Sequence, residues 1–195
     1  PLGAARPRSW MTVVPDGHPY RDEMYSVLQM TAEEEFYVVH IAEGEYDPTW
    51  AILFAVHEVT HLYDRDLGIQ PLRPNRRQHL DAELRANRNE MAAAQLVSGG
   101  TFLPALDALL DEWEGASTAD IDRLAQRLDA KAVARLSRPI TRAPAASQDE
   151  DALRRGFLWI ALVIRHADRT GAGDASIRTA LGRGVPASSN EKSPL

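Results

Sequence analysis

His57-Glu58-Val59-Thr60-His61 carries the residue types and the spacing that could do chemistry in this chain. On a helix, residues four apart stand one turn apart on the same face, so the two imidazoles can converge on a single cation. The glutamate beside the first histidine then points next to the ion, where it can hold a water molecule and take its proton. Zinc suits two imidazoles plus a carboxylate, with a fourth corner left for water whose pKa falls to about 7. Six His and 13 Glu in 195 residues would produce this pattern by chance in roughly 0.01 chains, so the spacing is informative.

One ion needs a third protein ligand. Asp64 shares the histidine face one turn further on, as an alternative ligand or a brace for one. Two glutamates follow in Asp81-Ala82-Glu83-Leu84-Arg85-Ala86-Asn87-Arg88-Asn89-Glu90, at 22 and 29 residues beyond His61. Being seven apart, Glu83 and Glu90 share a helical face, with Asn87 between them. One can ligate while the other braces a histidine, and the residues alone leave both assignments open.

The elements that must position these groups are mostly helical. Asp47 as cap, Pro48 at the first position and Gly68 at the end bracket a helix around the His pair. Ile52, Val56, Val59, Tyr63 and Leu67 recur at helical spacing as its expected buried stripe, with His57 and His61 on the opposite side. A second helix is expected over 78–97, and others over 103–113, 120–136 and 151–168. Ahead of them, Phe36 to Ile41 reads as a strand and Met11 to Val14 as a shorter one. The expected class is α+β, predominantly helical: a small N-terminal sheet, an active-site helix and a C-terminal helical part. The expected divisions are a flexible arm or tag scar over 1–10, a catalytic core over 11–100, a helical subdomain packed on it over 101–169, and a flexible tail over 170–195.

His57-Glu58-Val59-Thr60-His61 followed by a helical Glu83 resembles the gluzincin branch of zinc metallopeptidases, over about residues 36–98. Glu83 with Ala86 and Asn87 is similar to the ExxAN-like helix of ImmA/IrrE-type peptidases. Glu83-Leu84-Arg85 is similar to the third-ligand run of clostridial-neurotoxin-like proteases and related bacterial effectors. Asn89-Glu90-Met91-Ala92 resembles instead the NExxA run of thermolysin- and aminopeptidase-like enzymes. The metzincin continuation is absent, since Asp64 and Leu67 stand where glycine and histidine belong. The resemblance implies a zincin-like fold holding one Zn²⁺ on His57, His61 and Glu83, with Glu90 in reserve and Glu58 as general base. It also implies an edge strand at 36–41 that pairs with an extended protein or peptide substrate, from which His40 could stabilise the transition state. Arg85 is a second candidate for that role, or for bracing a carboxylate at the metal.

Composition narrows the alternatives. A chain 44% hydrophobic and 26% charged matches an ordinary globular domain. Its net charge of −6 argues against a nucleic-acid partner. The absence of cysteine excludes thiolate ligands and cysteine nucleophiles. The longest apolar run, Phe157 to Ile164, is too short to span a membrane. No charged-then-apolar leader stands at the start, so the expected setting is the cytoplasm or delivery into another cell as an effector. The leading expectation is a zinc-dependent endopeptidase. The alternative is a zinc-binding regulatory or interaction module on the same scaffold, without turnover.

Overall fold

The computed structural model describes residues 8–14, 25–30, 35–42, 46–69 and 74–184, the first three groups as backbone alone. Residues 46–184 carry the HExxH run and both candidate glutamates. They form seven helices, with no strand among those described residues. This overturns the expected α+β class with a small N-terminal sheet in the core: apolar residues at helical spacing bury helix against helix, and the described body is predominantly helical. The backbone of Arg8–Val14, Tyr25–Met30 and Glu35–Ala42 is extended. The arm expected over 1–10 falls for the most part outside the described residues.

Helix α1 spans Pro48–Asp66. Asp47 caps it by accepting the backbone N–H groups of Thr49 and Trp50 at 3.0 and 3.3 Å, and Pro48 takes the first turn, where a missing N–H costs nothing. The helix is rotated relative to the sequence expectation. Trp50, Leu53, Phe54 and Leu62 are buried, whereas Ile52, Val59, Tyr63 and Leu67 are between 42% and 63% exposed. Burying Trp50, Leu53 and Phe54 is worth about 1.5–3 kcal/mol each, and that choice of face turns His57 and His61 inward.

Helix α2, Arg76–Val97, starts at a capping box in which Asn75 and Gln78 satisfy each other's backbone N–H groups. It runs antiparallel to α1: His57 meets Glu90, while His61 meets the earlier Glu83. Helices α3 (Phe102–Glu112), α4 (Thr118–Ala125), α5 (Ala130–Ser137), α6 (Gln148–Thr170) and α7 (Gly173–Gly184) complete the body. The single helix expected over 120–136 is two, because Asp129 caps a new one by accepting the Ala132 N–H at 2.7 Å. The tail expected over 170–195 is corrected in its first part. Gly171 adopts the left-handed turn (φ 69°) that ends α6, and α7 then buries Ile177, Ala180 and Leu181. The remainder of that tail lies outside the described residues.

Helix α6 is the centre of the core. Its central run, 157–164, is apolar on every face, with Phe157, Leu158, Ile160, Leu162, Val163 and Ile164 buried. Phe157 stacks on Phe102 of α3 (centroids 5.5 Å, planes 16° apart) and meets Trp50 of α1 edge-on at 5.6 Å. Its first turns also anchor α1. The fully buried Glu150 accepts the Asp47 and Ala146 N–H groups at 3.0 and 2.7 Å and pairs with Arg154, whose guanidinium lies 5.1 Å over the Trp50 ring. No single helix among the described residues is long and apolar enough to cross a membrane; α2 and α3 pass the test of length and composition only together, as a pair bent by 110°.

Candidate metal centre

Three side chains from two antiparallel helices converge at the α1–α2 contact. His57 and His61, one turn apart, bring their Nε2 atoms within 3.2 Å of each other. Glu83 of α2 faces both, with Oε2 3.4 Å from His57 Nε2 and Oε1 3.3 Å from His61 Nε2. His57, His61 and Glu83 thus form a cluster able to hold a metal ion. In a tetrahedron whose centre lies ~2.0–2.1 Å from each ligand, the corners lie about 3.3 Å apart. The Nε2–Nε2 separation matches that edge, each Nε2 meets a different oxygen of the one carboxylate at a similar distance, and two imidazoles with a carboxylate are a donor set zinc accepts, so the residues present fit the ion.

Glu90, two turns past Glu83, does not join the three. Its Oε2 lies 3.1 Å from Nδ1 of His57, on the far side of the ring, which fixes the imidazole's orientation and leaves Nε2 to the cluster. The buried Nδ1 of His61 has no such partner among the described residues. Glu58 lines the cavity into which the cluster opens. Asn87 donates from Nδ2 to the Glu83 carbonyl at 2.7 Å and lines the same cavity, without entering the cluster.

Asp64 and Arg85 form a 2.7 Å ion pair that ties the end of α1 to α2. Neither residue is in the His57–His61–Glu83 cluster or in the lining of the cavity. The side chain of His40 lies outside the described residues. A second tie, from Asn89 Nδ2 to Thr60 Oγ1 at 3.2 Å, completes the polar seam between the helices. His79 stands one turn before Glu83, with Nδ1 3.8 Å from Oε1, and the four-residue interval is the signal for it in the sequence.

The electrostatics are those of a site held together by protons. Burial opposes charge on His57, but hydrogen bonds to Glu83 and Glu90 outweigh it and hold the imidazolium well above its ordinary value. Burial likewise opposes the Glu83 carboxylate, yet bonds from His57 and His61 hold it far below the usual carboxylate range. Burial pushes Glu90 up; His57 partly offsets this, and the negative charges of Glu58 and Glu83 add to it. A divalent cation can replace such a proton while meeting the same acceptors.

The cavity beside the cluster has a volume of about 380 Å³ and is walled on its other side by α6 and α7. Comparison with protein-family models, with curated proteins and with solved structures finds no match for this chain.

Proposed function

We propose that this protein is a zinc-dependent peptidase, with His57, His61 and Glu83 as the metal ligands and Glu58 as the general base. The observation that carries the reading is the pair of Nε2 atoms 3.2 Å apart on an HExxH helix, each facing one oxygen of the Glu83 carboxylate at 3.3–3.4 Å, beside a cavity that Glu58 also lines. A bound zinc ion would supply a Lewis acid and water acidified to a pKa of about 7. Glu58, not needed as a ligand, takes a proton from attacking water and returns it to the departing amine. Glu90 holds the His57 ring in one orientation throughout.

The test is Glu58→Gln, assayed on an unstructured protein substrate after loading with zinc. Full zinc content with loss of cleavage supports the mechanism. Cleavage at the wild-type rate removes Glu58 from it. Zinc binding without cleavage by the wild-type protein would favour a non-catalytic metal-binding module.

A further inference from the structure

The cavity next to the cluster has two unlike walls. One, from α1 and α2, holds the charged and polar groups. The other, from α6 and α7, offers only apolar surface to it, including Leu153, Phe157, Ile160 and Leu181. Trp159 presents its ring there, because its Nε1 is already committed to Asp122 at 2.8 Å. In the middle of this wall, inside the 23-residue α6, stands Gly156. A glycine inside a helix costs about 1 kcal/mol relative to alanine. Packing does not require one here: a Cβ built at Gly156 meets nothing within 4 Å, and the residue is exposed. The missing side chain leaves part of the cavity open.

We infer that this cavity receives a bulky apolar side chain of the substrate, held against α6 and α7 beside the bond to be cleaved, and that Gly156 keeps the space for it. The inference rests on the metallopeptidase reading and deepens it by naming the substrate class. A volume of about 380 Å³ falls at the small end of ligand pockets and leaves room for such a side chain.

Two chelating probes with the same zinc-binding group separate the pocket from the metal: acetohydroxamate, and 3-phenylpropanohydroxamate, which adds a phenyl arm. Isothermal titration of the zinc-loaded wild-type protein is expected to show the phenyl probe binding roughly tenfold to hundredfold tighter, the increment for burying such a ring. Gly156→Phe is expected to bring that ratio near one while zinc stoichiometry, set by other helices, is unchanged. Gly156→Ala, with raised helix propensity and only a small group added, keeps most of the preference. Equal affinities in the wild-type protein, or an undiminished preference in Gly156→Phe, overturn the inference. A parallel titration of the metal-free protein with benzyl alcohol, followed by NMR, is expected to show binding that Gly156→Phe abolishes. Failure of both hydroxamates with retained benzyl alcohol binding overturns the metal reading beneath the pocket, not the pocket itself. Absence of benzyl alcohol binding overturns the pocket.

Discussion

Glu90→Gln isolates the group behind the metal ligand. In the wild-type protein the Glu90 carboxylate, 3% exposed, meets His57 Nδ1 at 3.1 Å, while Nε2 of the same ring faces Glu83 and His61. Glutamine has nearly the same shape and still offers an oxygen to Nδ1–H, so the ring can stay in place. What is lost is the negative charge that makes the imidazole a better donor to a cation. A hydrogen bond to a charged group is worth roughly 1.5–3 kcal/mol net, against about 1 for a neutral one. The difference, about 0.5–2 kcal/mol, corresponds to zinc binding weaker by about 2- to 30-fold, and substitution of such outer partners typically costs 10- to 100-fold. We therefore expect a loss of about tenfold, read by competition with a chromophoric zinc chelator at pH 7.5. Glu58→Gln serves as the comparison, since Glu58 is assigned to the proton rather than to the ion. Affinity within twofold of wild type for Glu90→Gln, or an equal loss in Glu58→Gln, would refute the division of roles between the three glutamates.

Further expectations concern the scaffold. Glu150→Gln leaves Arg154 buried without its counter-charge and weakens the tie to the Asp47 N–H, so urea unfolding should show a loss of about 3–5 kcal/mol; a loss under 1 kcal/mol would contradict the anchoring role. Asp107 is held below the usual carboxylate range, chiefly by Arg165 of α6, with hydrogen bonds of 2.8 and 2.7 Å. A depressed folded-state pKa contributes stability above the unfolded value of about 3.9 and loses it as pH falls through the folded value. Asp107→Asn should thus cost about 1 kcal/mol at pH 7, with the deficit shrinking below about pH 4; a deficit independent of pH would contradict the assignment. Gly156→Ala should raise stability by about 0.5–1 kcal/mol, since the added methyl meets no neighbour, and a destabilised variant would mean that glycine is needed for packing.

The members of the cluster were easier to read from the sequence than the orientation of the helix that carries two of them. The interval of four between His57 and His61, the Asp47-Pro48 start and the downstream Glu83 all have local signatures, and the structure brings these residues together. The buried stripe was misread because Ile52, Val59, Tyr63 and Leu67 satisfy the same periodicity as a core face. The competing face, Trp50, Leu53 and Phe54 with the histidines, mixes apolar and ionisable residues, and only the acids of α2 make burying it favourable. Helix α7 was hidden by a glycine- and serine-rich composition, although Ile177, Ala180 and Leu181 stand at helical spacing. The cavity had no local signal. No spacing rule relates Phe54 to Phe157 and Leu181, which line one cavity only once α1, α6 and α7 are assembled on α2.

The central claim is that His57, His61 and Glu83 grip one zinc ion. X-ray absorption at the zinc edge, on protein loaded with one equivalent and freed of loose metal, tests it most directly. One zinc is expected to be retained per chain, with two imidazole nitrogens and carboxylate oxygen at ~2.0–2.2 Å, and the imidazole signature is expected to be lost in the double variant His57→Ala/His61→Ala. A wild-type protein that retains no zinc, or a spectrum with no imidazole scattering, would contradict it.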